Sequence, residues 1–314
     1  MLDIKTAQKV FDKYNLGKVN SIENQATGVT GTVFDVNNKF IVKIQNDLTD
    51  EFRSERNALV CDILKEHTIK APLLIALDVS KEIIKEKYIL TTKLKGEALK
   101  YIWKNFSKAD QKKIFFDYGK LMAQFHQIKM EKFGDPVDSN NQHDKWYDCI
   151  ISRYKNNYEY VKKNRILSEN ILYMINDFFV NNNELLQVNT NPVLVHNDFQ
   201  TKNIMYYNEN LNGIFDFDEC IGGHYEMDFL KTCLPFKAEK VWLDEIFKGY
   251  KTLGSISQDF PKRIKLYKLN FSLKVLKFTH VNNLKANFYQ KKFIWAIDKI
   301  LTEDWKFLDR LQDL

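Results

Sequence analysis

Apolar and polar positions alternate in two rhythms along the chain, and the change between them divides it. Residues 3–16 keep an amphipathic pattern that predicts a short helix. The stretches 17–23, 32–36 and 39–45 are rich in Val, Ile and Phe and predict strands. Asn37-Asn38 between the last two predicts a tight turn, because Asn tolerates positive φ. A helix is predicted from a cap at Thr49 or Asp50 through His67, with Phe52, Arg56, Leu59, Val60 and Ile63 on or near one stripe. Strands around 75–79 and 87–92 complete a small sheet with one helix inserted after its third strand.

Past Gly96 the helical rhythm takes over. Ile114, Phe115, Tyr118, Leu121, Met122 and Phe125 keep helical spacing, and Ser107 with Asp110 forms a capping-box pattern. Residues 146–163 and 167–187 also predict helices. A short strand at 193–195 leads into a loop, then 204–207 and 213–217 predict a hairpin. From Asp228 onward the pattern is mostly helical. The boundary falls near 91–96, which gives a mixed N-terminal lobe over 1–93 and a mainly helical lobe over 94–314.

Composition narrows the possibilities. The 314 residues are 44% hydrophobic and include 23 Phe, 15 Tyr and 5 Trp, ample material for a core. No apolar run approaches the roughly 18 residues of a membrane span, so no membrane partner is expected. Charges at Asp3 and Lys5 stand where the apolar region of a signal peptide would begin. Cys61, Cys149, Cys220 and Cys233 lie far apart, which suits reduced thiols in the cytoplasm better than disulfides or zinc. The net charge is +6, and residues 229–314 hold 17 basic against 9 acidic side chains. Nearly all the basic residues are Lys, whereas base and phosphate reading favours the planar fork of Arg. The excess therefore reads as a solvated lysine-rich helical surface, with no nucleic-acid partner.

The strongest chemical signal follows the strand at 193–195. His196-Asn197-Asp198 and Asn203 have the spacing H-x-D-x-x-x-x-N, and Asp216 and Asp218 emerge from a second apolar strand shortly after. Metal-assisted phosphoryl transfer needs such a set. One carboxylate sits near the acceptor hydroxyl, while an Asn oxygen and a second carboxylate supply hard ligands to Mg²⁺. Thr27-Gly28-Val29-Thr30-Gly31-Thr32 offers G-x-x-G, either a phosphate-covering loop or a plain hairpin turn. The six histidines show no H-E-x-x-H spacing, and no G-x-S-x-G elbow is present.

On these motifs the chain resembles the aminoglycoside phosphotransferase/choline kinase family, a branch of the protein-kinase-like fold. His196-Asn197-Asp198 stands where most members have His-Gly-Asp, and Phe215-Asp216-Phe217 matches the family's metal-binding segment. Gly223-His224-Tyr225-Glu226-Met227-Asp228 resembles the later Gly-Asp-Pro-x-x-Asp element with its Asp-Pro lost. The resemblance implies an α+β, two-lobed fold, with a small mixed N-terminal sheet lobe for nucleotide and a larger helical lobe for catalysis and substrate. It implies Asp198 as the catalytic residue, Asn203 and Asp216 as Mg²⁺ ligands, Asp218 as the rival of Asp216, and Asp228 as a structural acid near the catalytic loop.

In the N-terminal lobe the resemblance implies that Lys43, at the end of Phe40-Ile41-Val42-Lys43, contacts phosphates and pairs with Glu55. Glu51 is the competing helix carboxylate. The segment 88–96 resembles the interlobe strand whose backbone, around Thr92 and Leu94, would hydrogen-bond adenine. His126 reads as a core or helix-end residue. The implied activity is Mg²⁺-dependent transfer of the γ-phosphate of ATP or GTP to a hydroxyl of a small molecule. Aminoglycosides lead on resemblance; choline, a sugar or an amino alcohol are the alternatives, and a catalytically silent nucleotide-binding regulatory module is a reading of another class. Against a polycationic acceptor stands the positive balance of 229–314, which local acids such as Asp144, Asp148, Glu226, Asp244 and Glu245 could offset.

Overall fold

The computed structural model describes residues 2–46, 50–233, 241–284 and 286–302. Along the chain come α1 (Ile4–Lys13), β1 (Ile22–Thr27), β2 (Gly31–Val36), β3 (Phe40–Gln45), α2 (Arg53–Leu64), β4 (Leu74–Asp78) and β5 (Tyr88–Thr92). Next are β6 (Glu97–Ala98), α3 (Leu99–Ile102), α4 (Lys108–Phe125), β7 (Phe133–Gly134) and β8 (Gln142–His143). Helices α5 (Trp146–Lys163) and α6 (Glu169–Asn182) precede strands β9 (Val193–Val195), β10 (Ile204–Tyr207), β11 (Asn210–Ile214) and β12 (Ile221–Gly223). Helices α7 (Phe229–Thr232), α8 (Leu243–Tyr250), α9 (Phe260–Val281) and α10 (Ala286–Leu301) end the described chain. The chain forms two compact units, one from residues 1–114 and 200–220, the other from 115–199 and 221–314. This is the expected α+β class, an antiparallel N-terminal sheet followed by a helical remainder.

The first unit is built on an antiparallel sheet in the order β1-β2-β3-β5-β4, with α2 inserted after the third strand. Its core joins Val10 and Phe11 of α1 to Phe34, Val36, Val42, Tyr88 and Leu90 of the sheet. Asn37 and Asn38 both take positive φ, 59° and 54°, and make the tight turn the sequence predicts. A second, smaller sheet carries β11-β10-β6.

Three elements differ from the sequence pattern. The first strand begins at Ile22, not at 17, because side chains claim the amides before it. Gln8 Oε1 accepts from Val19 N–H, and Asn37 Oδ1 from Asn20 and Ser21 N–H. Helix α2 starts at Arg53. Asp50 Oδ1 accepts from Phe52 N–H at 3.0 Å, while Thr49 lies outside the described residues. The second hairpin strand is Asn210–Ile214 and stops before 217, since Asp216 turns the backbone into the left-handed region at φ 71°.

The second unit packs helices around aromatic side chains. Trp146 Nε1 of α5 donates to the Tyr267 hydroxyl of α9 at 2.8 Å, and Phe115 stacks on Trp242. Gly119 and Gly249 let α4 and α8 touch through their backbones. A Cβ on either would fall 1.9 Å from a carbonyl oxygen of the other helix. Strands β9 and β12 pair in a four-stranded sheet that ends directly before His196. Among the described residues no helix is long and apolar enough to cross a membrane.

Candidate active site

In the first unit, β3 carries Lys43 between Val33 of β2 and Ile89 of β5, so its backbone is fixed from both sides. Its ammonium donates to Asp216 Oδ1 and Asp218 Oδ2, each at 2.6 Å. Burial works against this cation, but the two carboxylates outweigh it and hold the Lys43 pKa above the ordinary lysine value. Phe215 N–H donates to the Asn203 carbonyl at 3.0 Å, which brings the backbone of Asn203 beside that of Asp216. Lys43, Asp216 and Asp218, scattered in sequence, thus converge, with Asn203 anchored next to them.

Glu55 does not pair with Lys43. It accepts from Lys87 Nζ at 2.7 Å, and Lys87 also donates to the Glu51 carbonyl. The physical reason is the face that α2 presents. Positions 53, 56 and 57 share one side of a helix, and they are buried polar residues rather than an apolar stripe. Asn57 Nδ2 donates to Asp218 Oδ1 at 2.8 Å, Arg56 Nε to the Asp218 carbonyl at 2.7 Å, and Arg53 Nη1 to Glu219 Oε1 at 2.7 Å. Arg56 is also paired with Asp50. Helix α2 is therefore coupled to Lys43 through Asp218. Asn57 and Arg56 were invisible as site residues in the sequence, since nothing marks a polar helix face as buried.

The two carboxylates beside Lys43 differ in setting. The Asp216 side chain is 31% exposed, that of Asp218 only 8%, with Lys43 on one oxygen and Asn57 on the other. Among the described residues no group of three or more His, Cys, Asp or Glu side chains is arranged to hold a metal. Mg²⁺ needs no such cage, because it takes one or two carboxylates and fills its shell with phosphate oxygens and water. Asn203 and Asp216 supply hard oxygen donors of that kind, and the residues fit the ion.

The remaining nucleotide-side candidates lie in the same unit. Thr92 ends β5; its N–H donates to the Leu73 carbonyl, and its hydroxyl oxygen accepts from Leu73 N–H. The Leu94 side chain lies against Gly213, where a Cβ would meet its Cδ1 at 3.1 Å. Gly28 and Gly31 form the turn between β1 and β2, with Gly28 N–H donating to the Gly31 carbonyl. Asn46 Nδ2 holds the carbonyls of Gly28 and Val29.

The second unit holds the turn that carries Asp198. Asn197 takes the left-handed conformation at φ 57°, which explains how Asn can stand where a glycine is usual. Asp228 fixes this turn by accepting from His196 N–H at 2.9 Å and from Asn197 N–H at 2.6 Å. His126 is a buried core residue, as its helical context predicts. Its Nε2 meets Asp228 and its Nδ1 meets the Tyr250 hydroxyl, both at 2.9 Å. The Asp198 carboxylate is paired with Lys231 of α7. Lys231 was not anticipated, for nothing in its spacing sets it apart from the other lysines.

The family model for the phosphotransferase enzyme family, known as APH, matches residues 22–263, and the chain belongs to this family. It is a transferase of the kinase type acting on small molecules. Among curated proteins none matches the chain. Many solved structures share its fold, among them the following three. The gentamicin complex of APH(2")-IIa aligns with a TM-score of 0.70 at 18% identity, over 96% of both chains. The ADP-bound aminoglycoside phosphotransferase APH(2'')-Ib aligns at 0.69 and 17%, over 96% of this chain and 97% of its own. A putative fructosamine-3-kinase from Thermobifida fusca YX-ER1 aligns at 0.71 and 16%, over 96% and 100%.

Proposed function

We propose that this chain transfers the γ-phosphate of ATP or GTP, with Mg²⁺, to a hydroxyl of a polyhydroxylated small molecule. The convergence of Lys43 on Asp216, 173 positions apart in sequence and held at 2.6 Å, carries this reading. Lys43 steadies the phosphates, and Asn203 with Asp216 holds the metal. When bound, Mg²⁺ supplies charge neutralisation at the phosphates. Asp198 orients the acceptor hydroxyl and takes its proton. Positioning and charge neutralisation contribute more than basicity in a loose transition state. Leu94, with Thr92 beside it, offers backbone groups to the nucleotide base, within a nucleotide-binding lobe of residues 1–93. The lobe 94–314 supplies catalysis and the acceptor site.

The acceptor is a polyhydroxylated compound, for which aminoglycosides and sugar-derived alcohols are the two candidate classes. Structural likeness to a gentamicin-bound phosphotransferase and to a putative fructosamine-3-kinase supports both. All four cysteines are free and buried, and burial pushes the Cys61 thiol up to about 12 and that of Cys233 to about 11. Four free thiols support a reducing, cytoplasmic location. The test is Mg²⁺-dependent consumption of ATP and GTP by purified protein against a panel of aminoglycosides, sugars, choline and amino alcohols. Consumption that no panel member stimulates, together with failure to bind either nucleotide, would overturn the assignment.

A further inference from the structure

Lys231 gives the acceptor side of Asp198 a sign. The lysine and aspartate side chains are 16% and 8% exposed, so the pair is mostly withdrawn from water and its charges are weakly screened. Lys231 is located by a second contact as well, its ammonium lying 5.3 Å from the ring centre of Phe271 on α9. The carboxylate that should receive the acceptor thus comes with a cation already attached.

The same cancellation recurs at three other acids of this unit. Asp144 is paired with Lys132, Glu245 with Lys248 at 3.0 Å, and the buried Glu226 with Arg263 at 2.7 Å. Asp148 and Asp244 stay exposed. Basic residues outnumber acidic ones by 17 to 9 over 229–314. A polycation needs a concentration of uncompensated carboxylates, and both the local pairing and the wider balance run the other way.

We propose that Lys231 is a specificity-determining residue that excludes cationic acceptors from Asp198, so that the physiological acceptor is a neutral or acidic hydroxyl compound. This rests on the assignment of Asp198 to the acceptor hydroxyl made above. The pair presents no net negative charge, and an ammonium group next to the reacting hydroxyl would lie beside that of Lys231. A neutral polyol meets no such penalty, and an acidic one gains from the lysine.

Gentamicin serves as the polycationic probe. Its binding is titrated calorimetrically at low and at moderate salt against the wild type, Lys231→Ser, Lys231→Arg and the double variant Lys231→Ser/Asp198→Asn. Lys231→Ser is expected to bind gentamicin at least tenfold more tightly than wild type at low salt, with the gain shrinking as salt is added. Lys231→Arg, which keeps the charge, is expected to match wild type, and the double variant to lose the gain. Thermal unfolding of each variant establishes that it is folded, and Lys231→Gln, which loses the charge but keeps much of the side chain's length, carries the comparison with the same expected gain if the serine variant is not. No gain in Lys231→Ser, an equal gain in Lys231→Arg, or wild-type gentamicin binding in the micromolar range overturns the proposal. Nucleotide binding is measured separately in the same samples. Its absence would defeat the phosphotransfer reading, while the gentamicin titrations would still report on Lys231.

Discussion

The Asp228 carboxylate accepts the Asn197 backbone N–H at 2.6 Å, and the adjoining His196 N–H at 2.9 Å. One buried acid thereby sets the direction of the chain as it enters Asp198. The third partner, His126, ties the same acid to α4. Asp228→Ala would leave two backbone amides and an imidazole without their acceptor, at a cost of about 3 kcal/mol or more. Denaturant unfolding of the variant is the measurement, and a loss below about 1 kcal/mol would show that the turn holds without it.

Asn197 tests the backbone of that turn. Its φ of 57° is accessible to Gly and Asn but strained for β-branched side chains. Asn197→Gly is expected to keep stability within about 1 kcal/mol and to preserve turnover. Asn197→Val is expected to lose about 1–3 kcal/mol and most of the turnover. Equal stability of the two variants would mean that the turn relaxes to another conformation at no cost.

Asp198→Asn tests the carboxylate proposed to receive the acceptor. The amide keeps the shape of the side chain but removes the proton acceptor and the charge at the attacking oxygen. Turnover should fall by roughly 10²-fold or more while nucleotide affinity stays close to wild type. Near-normal turnover in a clean preparation would remove Asp198 from this role.

How far the sequence reveals the site depends on what holds each residue. The placement of Lys43 on β3 and of the loop after β9 was legible because apolar runs mark those strands well. The partner of Glu55 was not. Helical periodicity locates an apolar face, but α2 buries Arg53, Ser54, Arg56 and Asn57, a face recognisable only once Asp218 and Glu219 are seen opposite it. Lys231 was illegible for another reason. Its role arises from a contact with Asp198, far away in sequence, and lysine is the commonest basic residue of this chain. The start of β1 was misplaced because Gln8 and Asn37 side chains replace ladder bonds, a competition that pattern alone does not register.

Asp216 and Asp218 should separate when each is replaced. Asp216 is the more exposed carboxylate and fits the metal, whereas Asp218 has Lys43 on one oxygen and Asn57 on the other. Asp216→Ala is expected to abolish Mg²⁺-dependent nucleotide binding, with only a small fall in Tm from the strain of Ala at φ 71°. Asp218→Ala is expected to weaken binding less but to lower Tm, because it strands the Asn57 amide and uncouples α2 from Lys43. Calorimetric titration with Mg²⁺ and nucleotide, paired with thermal unfolding, checks both. A reversed order would identify Asp218 as the metal ligand.

His224 gives the fold an acid-sensitive point. Burial, reinforced by the positive charge of Arg263 and by His126, holds its pKa down to about 3 from an ordinary 6.5. Its Nδ1 is engaged with the Tyr267 hydroxyl at 3.1 Å, and the Tyr225 ring packs on it at 4.4 Å. Glu226 lies 3.7 Å away but is already taken by Arg263, so it offers little to a protonated imidazole. Between the two pKa values the unfolded chain binds a proton that the folded chain refuses. The stability contributed by neutral His224 is therefore complete above pH 6.5 and is lost as pH falls toward 3. Glu226 acts in the opposite sense. Burial raises it to about 7 despite Arg263, so its contribution is present at low pH and is lost as pH rises through 7. The two effects overlap, and only a difference measurement isolates the histidine. Unfolding free energies of wild type and His224→Gln at pH 7.5, 6 and 5 provide it, since glutamine keeps a polar group in place without titrating. The wild type should lose stability relative to the variant as pH falls from 6.5, and parallel curves would show that His224 binds its proton equally well in the folded and unfolded chains.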